Sequence, residues 1–428
     1  MRLLFISNLY PPLELGGYEQ WCQEVAGGFR ARGHDVQILT SNYRANELTS
    51  WETNVHRRLH LQADIHHYEP LHFLTRFQEE EAANKAALQQ VIGAFRPDLI
   101  LVWGMWNLSP SVAYWAEVLM PDRVAYFISS YWPADVDMHL QYWQLPANHV
   151  LGKWVKRPLR ALANRQLQQN NYPPHLQFQH VRCCSHYVRD TLLQQDKIPT
   201  SAEVLLGGID PTPFMRPSKP SQTNGNHKLR LLFAGRLVED KGVHTAVEAL
   251  GLLRQQNQAA DLELTILGGG HPGYEALLHD LAAENQVTAH IKFCPQVPRA
   301  EIPNWMEGHD VFLFTSIWPE PMARVVMEAM AAGLLVIGSE VGGQTEMLVN
   351  EVNSLTFFPE DARQLSQQIL RLQQNPALLP KLAQAGQQLV LKQFTLVRMI
   401  NDMEAWLKSI TTENKPEKWE FAGLGRRA

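Results

Sequence analysis

The sequence predicts an α/β protein of two doubly wound, Rossmann-like domains facing a central cleft, and three observations predict it. Short apolar strands alternate with helix-length segments from the first residues onward. Strands of that kind mark a parallel sheet covered on both faces. Residues 211–228 then interrupt the alternation: they are rich in Pro, Ser and Asn, carry no hydrophobic period and read as a linker. After them the alternation starts again, and 428 residues are too many for one core of ordinary size.

Taken in order, residues 3–7 read as a buried strand. A loop with Pro11-Pro12 and Gly16-Gly17 follows, then a helix over 18–32 closed by Gly33, and a strand over 36–40. Further strands are expected at 98–102, 123–128, 181–184 and 203–206. The second series has strands at 229–234, 262–267, 311–314 and 334–337. The expected division is therefore 1–210 for the N-terminal domain, 211–228 for the linker and 229–395 for the C-terminal domain. Residues 396–428 would form a helix and a polar tail, with Trp419 and Phe421 packing back on the N-terminal domain. Doubly wound sheets bind ligands at the carboxyl ends of their strands, here in the cleft between domains.

Composition narrows the function. Hydrophobic residues make up 45%, charged residues 19%, and the net charge is −5, so the basic footprint of a nucleic-acid binder is missing. Four cysteines, two of them adjacent (Cys183, Cys184), form no spaced framework and read as reduced thiols in a cytoplasmic protein. The first apolar run is short for a secretory signal, and no stretch reaches the roughly 20 apolar residues of a spanning helix. Residues 153–160, Lys-Trp-Val-Lys-Arg-Pro-Leu-Arg, are basic with an apolar complement. They fit either an anionic membrane surface, placing the protein at the inner face of the membrane, or a solvated helix face.

The chemistry concentrates in Ser316-Ile317-Trp318-Pro319-Glu320-Pro321-Met322-Ala323-Arg324-Val325-Val326-Met327-Glu328-Ala329-Met330-Ala331-Ala332-Gly333. A strand runs into a loop there, and a helix starts near Ala323. Free N–H groups at the helix start, around Met322, Ala323, Arg324 and Val325, suit an anion. Glu320 and Glu328, with seven residues between them, could hold different hydroxyls of one polar ligand. By themselves they read more readily as a solvated loop residue and a helix-surface charge. Farther upstream, Arg236 follows a strand end and Lys241 precedes a helix, so both can point into the cleft. Two fixed cations there would stabilise a departing diphosphate without a metal.

The segment resembles the Glu-seven-residues-Glu signature of the family 4 retaining glycosyltransferases of the GT-B fold. The match continues through Val336-Ile337-Gly338-Ser339 and Val341-Gly342-Gly343. The resemblance implies that Glu320 faces the donor sugar and Glu328 holds the ribose. Phe233-Ala234-Gly235-Arg236-Leu237-Val238-Glu239-Asp240-Lys241-Gly242-Val243 resembles the family's phosphate-binding segment. Gly268-Gly269-Gly270 alone only ends a strand. In the family that region walls in the base with a segment like Phe293-Cys294-Pro295-Gln296-Val297, which implies a nucleobase near Gly268 and Val297. Gly16-Gly17 resembles the glycine loop that approaches the phosphates across the cleft. Leu206-Gly207-Gly208-Ile209-Asp210 resembles the hinge, where Asn is commoner than Gly207. The resemblance covers nearly the whole chain, strongly from 229 to 358 and loosely from 45 to 180.

The sequence also departs from that pattern. Many relatives carry His-Asp after the strand at 124–128, where this chain has Ser129-Ser130 followed by Tyr131-Trp132. His139, ten residues on, could substitute, although a core-capping or solvated histidine is the simpler reading. Asp135-Val136-Asp137 matches the metal-binding DxD pattern of a different fold. His56-Arg57-Arg58-Leu59-His60 and His66-His67 lack the carboxylates or cysteines of a zinc site and read as surface or acceptor-side residues.

These readings lead to a hexosyltransferase that acts on a nucleotide diphosphate sugar, with Glu320, Arg236 and Lys241 as the catalytic group. The donor would lie on Gly16, Gly17, Arg236, Lys241, Gly268, Val297, Glu320, Met322, Ala323, Arg324, Val325 and Glu328. No cofactor and no metal are expected. The acceptor would be a glycan or a lipid-linked molecule, with peripheral membrane contact and no nucleic acid. By family tendency the donor is UDP-glucose first and GDP-mannose second. Alternatives are a GT-B-fold nucleotide-sugar epimerase and a non-catalytic nucleotide-sugar binder. A dinucleotide-dependent oxidoreductase is disfavoured, because Ser7-Asn8-Leu9-Tyr10-Pro11-Pro12 replaces the glycine turn after the first strand.

Overall fold

Two all-parallel sheets organise the chain. A computed structural model describes residues 1–50, 52–65, 67–145, 150–215 and 228–413. The centre of the predicted linker, His66, Trp419 and Phe421 lie outside the described residues. The N-terminal sheet contains β1 (Arg2–Ser7), β2 (Asp35–Ser41), β3 (Val55–Leu59), β4 (Leu99–Gly104), β5 (Val124–Ile128), β6 (His180–Cys183) and β7 (Glu203–Val204), in the order β3-β2-β1-β4-β5-β6-β7. The C-terminal sheet contains β8 (Leu229–Ala234), β9 (Leu262–Leu267), β10 (Ile291–Cys294), β11 (Val311–Phe314), β12 (Leu335–Ser339) and β13 (Leu355–Phe357), in the order β10-β9-β8-β11-β12-β13. In each sheet the order reverses beside the first strand, between β1 and β4 and between β8 and β11. The loops after those strands therefore open at the switch points where such folds bind ligands.

The strands are buried because they are apolar on both faces: Leu3, Leu4, Phe5 and Ile6 of β1 are all fully enclosed. Helix α1 (Gly17–Ala31) covers them, burying Trp21, Cys22, Val25, Ala26 and Phe29 at helical spacing. Three strands escaped the pattern, among them β10, a four-residue edge strand whose only buried residue is Cys294. β3 is an edge strand whose middle, His56, Arg57 and Arg58, is polar and partly exposed. The Arg57 guanidinium donates to the carbonyls of Tyr10 (3.0 Å) and Pro11 (2.6 Å), and His56 meets the Gln37 amide at 2.8 Å. β13 has only three residues, too few to show a period.

In the N-terminal half, α2 (Pro70–Phe95), α3 (Pro110–Leu119), α4 (Met138–Gln144) and α5 (Val150–Gln169) lead to α6 (His186–Gln194). Ala163 and Leu167 of α5 bury against Phe73, Phe77, Trp143 and Tyr172, with Leu159 packed alongside. The apolar stripe of the basic helix therefore turns inward, while Arg157, Arg160 and Leu162 stay exposed. Lys156 donates to the Tyr142 carbonyl at 2.6 Å.

The C-terminal half adds α7 (Val243–Gln255), α8 (Pro272–Glu284), α9 (Ile302–Glu307), α10 (Arg324–Ala331), α11 (Ala362–Gln374) and α12 (Leu378–Gln393). The chain then returns to the first sheet. The Ile209 N–H donates to the Phe394 carbonyl (2.9 Å) and the Leu396 N–H to the Ile209 carbonyl (2.6 Å), pairing the two crossings. Helix α13 (Leu396–Glu413) lies on α1, where Glu404 accepts from Arg32 (2.7 Å) and contacts His34 (3.0 Å). Among the described residues no helix is long and apolar enough to cross a membrane.

Candidate active site

The loop after β11 carries Glu320 and is laced to the loop after β8. The Thr315 hydroxyl donates to the Lys241 carbonyl (2.7 Å), and the Ile317 N–H to the Asp240 carbonyl (2.8 Å). That lacing brings Lys241 Nζ within 2.6 Å of Glu320 Oε1, both side chains largely shielded. The backbone of Glu320 is fixed from behind, where the Gly343 N–H donates to its carbonyl at 2.8 Å. Gly342 must be glycine there: its φ is 63°, and a Cβ would stand 2.3 Å from the Glu320 carbonyl oxygen.

Helix α10 begins with no side-chain cap at Ala323, so its first N–H groups are open to an anion. Met322 and Ala323 are buried in the core between the domains and offer the cleft backbone only. One turn into the helix, Glu328 is 2% exposed and accepts from the Arg299 guanidinium at 2.5 Å. Burial disfavours the charge on Arg299, but Glu328 beside it more than offsets this and raises its pKa above the usual value.

Arg236 is exposed two residues beyond β8 and makes no ion pair among the described residues. Its neighbour Gly235 packs on Gly268, whose φ of 153° and closeness to the Gly235 carbonyl (1.9 Å from a built Cβ) exclude any side chain. The Gly268 N–H donates to the Cys294 carbonyl, which holds the β9 turn next to the segment of half-buried Val297.

From the N-terminal domain, Gly16 and Gly17 begin α1. The Gly16 N–H donates to Glu19 Oε2 at 3.0 Å, the carboxylate half of a capping box, glycine having no side chain for the other half. Glu19 is fully buried, its other oxygen has no partner, and burial pushes its pKa up to about 7. The folded chain therefore binds this proton more tightly than the unfolded one. The stabilisation is complete below the ordinary 4.5 and lost as pH rises through about 7. Replacing Glu19 by Gln should thus raise stability at pH 8 relative to pH 4.5, on the order of 3 kcal/mol. Melting temperatures of both proteins across that range test it, and a pH-independent difference would contradict it.

Contacts across the cleft hold the Glu320 loop against the first domain. The Tyr131 hydroxyl donates to the Pro319 carbonyl (2.6 Å) and Ser185 Oγ to the Pro321 carbonyl (2.8 Å). Glu346 accepts from the N–H groups of His186 (3.0 Å) and Tyr187 (2.7 Å) at the start of α6, a favourable place for a carboxylate.

The structure thus joins Glu320 with Lys241, and Glu328 with Arg299, with Arg324 Nε standing 3.8 Å away. It leaves Arg236 open and Val297 at the cleft wall. Arg299, Glu19, Tyr131 and Glu346 were not foreseen. Glu19 stands where a capping-box glutamate would, three residues after Gly16, but glycine lacks the Ser or Thr side chain that marks the box, and the other three have no local signal. His139 belongs to the core: it is enclosed by Phe73, Phe77 and Tyr172, meets the Tyr68 hydroxyl at 2.9 Å, and burial lowers its pKa to about 4. Asp137 caps α4 through the N–H groups of His139 and Leu140 and accepts from the Tyr172 and Gln62 side chains. Both of its oxygens are engaged, which removes it as an open metal ligand. Among the described residues no three or more of His, Cys, Asp and Glu cluster at metal-binding geometry.

Two facing doubly wound sheets of this kind define the GT-B fold. The solved structure of Anabaena HepE in complex with UDP superposes with a TM-score of 0.70 at 19% identity, over 96% of this chain and 100% of that one, and it has also been solved with UDP-glucose. In sequence, residues 15–212 match the model described as Glycosyltransferase Family 4, and residues 215–389 match Glycosyl transferases group 1. The two matches take in both domains, and the chain belongs to this glycosyltransferase family. The Bacillus subtilis protein YtcC is 31% identical over 194 residues, 41% of this chain and 47% of that protein. The amylovoran biosynthesis glycosyltransferase AmsK of Erwinia amylovora is 33% identical over 175 residues, 40% and 41% respectively. The chain therefore spans less than half the length of these two relatives.

Proposed function

We propose that the chain is a retaining glycosyltransferase that moves a hexose from a nucleotide diphosphate sugar to a glycan or lipid-linked acceptor. The observation that carries this reading is the Lys241–Glu320 pair beside the uncapped start of α10, in the cleft of a GT-B fold. The donor's diphosphate lies on Arg236, Lys241 and the α10 N–H groups, Lys241 exchanging Glu320 for phosphate as the donor arrives. Glu320 then orients the sugar, and Glu328 holds the ribose. The fixed cations neutralise charge on the departing diphosphate, and no metal is required. A front-face displacement follows, in which the departing phosphate takes the proton of the acceptor hydroxyl and the configuration is kept. Contact between the domains excludes water and limits hydrolysis.

UDP-glucose is the first choice of donor and GDP-mannose the second, and the UDP-glucose complex of Anabaena HepE supports that order. The acceptor approaches from the N-terminal domain. Exposed Arg157, Arg160 and Leu162 on α5 support a cytoplasmic protein resting on the inner face of a membrane that carries a lipid-linked acceptor.

Proton NMR of slow donor hydrolysis, without acceptor, tests the reading. UDP and α-glucose as the first-formed anomer are expected. Initial β-glucose would overturn retention, an isomeric nucleotide sugar would indicate an epimerase, and an untouched donor would indicate a binder.

A further inference from the structure

We propose that Glu24 and Arg324 form a latch that couples domain contact to donor capture, by deciding whether Arg324 or the donor engages Glu328. The coupling half of this proposal rests on the assignment of Glu328 to the donor.

Arg324 is the first residue of α10, yet its side chain reaches across to the other domain. Nη2 donates to both oxygens of Glu24 (2.7 and 2.9 Å) and Nη1 to the Gly17 carbonyl (3.1 Å). The guanidinium stands 5.5 Å from the centre of the Trp21 ring. Each of these partners belongs to α1. The arginine is 7% exposed, so it depends on them, because a buried charge without partners is unfavourable.

One donor is left over. Arg324 Nε is buried without a hydrogen bond and stands 3.8 Å from Glu328 Oε1, one helical turn away. If the domains part, Glu24, Gly17 and Trp21 leave together. The nearest carboxylate is then Glu328, on the same helix at the i, i+4 spacing where charged side chains meet. Arg324 would then occupy the group that receives the donor. In the state described here, Glu24 draws Arg324 toward α1 and leaves Glu328 facing Arg299. An open pocket of about 390 Å³, lined by Pro12, Gln20, Glu24 and Arg299 among others, lies beside the latch. Arg324 is thus a positioning residue, and Glu24 sets which of its two positions prevails.

The test uses the full chain with Glu24→Gln, Arg324→Met and both substitutions together. Met keeps the helix and the backbone N–H groups of α10. UDP binding is measured by calorimetry, and the radius of gyration of the free proteins by X-ray scattering. Glu24→Gln should weaken UDP binding about tenfold, a conformational penalty of the kind that lowers apparent affinity, and should enlarge the free protein. The double variant should bind UDP more tightly than Glu24→Gln alone, since the competitor for Glu328 is gone. A merely structural ion pair would give no such rescue. A double variant no tighter than Glu24→Gln overturns the coupling. Wild-type affinity and an unchanged radius of gyration in Glu24→Gln overturn the latch. A wild-type protein that binds neither UDP, GDP nor ADP overturns the donor assignment and the coupling with it, while the scattering still reads whether Glu24 holds the domains together.

Discussion

Glu320→Gln is expected to lower turnover by about 10²- to 10³-fold while leaving nucleotide affinity nearly intact, the usual scale for removing one preorganised polar contact to a transition state. The substitution is close to isosteric. The Gln amide oxygen can still accept from Lys241, and the backbone hydrogen bond from Gly343 does not involve the side chain. The fold should therefore survive. What is lost is negative charge beside a sugar that becomes cationic as its bond to phosphate lengthens. That charge matters more in the transition state than in the ground state, so kcat should fall and KM change little. Initial rates of donor consumption, with UDP titrations on the same samples, separate the two. An unchanged turnover number would remove Glu320 from the mechanism.

Arg236→Ala should lower both donor affinity and transfer rate, with kcat/KM down by about 10- to 10²-fold, as expected for a hydrogen bond to a charged group. This arginine is the cleaner of the two cations to test. It is exposed and unpaired among the described residues, so its removal leaves nothing buried behind. Removing Lys241 would instead strip Glu320 of its partner and confuse binding with rearrangement. If Arg236 contacts the diphosphate, the loss should be larger for UDP than for UMP, which lacks the second phosphate. Kinetics indistinguishable from wild type would sink the phosphate assignment.

Much of the fold was legible because buried parallel strands are apolar on both faces. The strands at 229–234, 262–267 and 311–314 coincide with β8, β9 and β11. β3 was not legible, because an edge strand needs only one buried face and its exposed positions hold His and Arg. The site divides in the same way. Glu320, Glu328, Arg236 and Lys241 lie in local segments with a strong pattern, and the first and last of these do meet in space. Arg299, Tyr131 and Glu346 act across distances of 29 to 188 residues in the chain. Tertiary packing sets such contacts, and no local spacing encodes them. His139 shows the converse case, a chemically suggestive residue whose aromatic neighbours, distant in sequence, make it part of a core.

The central claim is that the cleft takes a nucleotide diphosphate sugar on protein cations alone. Thermal unfolding of the full chain with UDP, GDP, ADP and their sugar conjugates, with and without EDTA, tests it most directly. A ligand at a hundredfold excess over its Kd adds about 2.7 kcal/mol, which corresponds to a rise of several degrees. The account predicts that rise for one nucleotide family, UDP first, with no change on adding EDTA. A rise abolished by EDTA would contradict metal-free binding, and no rise with any nucleotide would contradict the donor site itself.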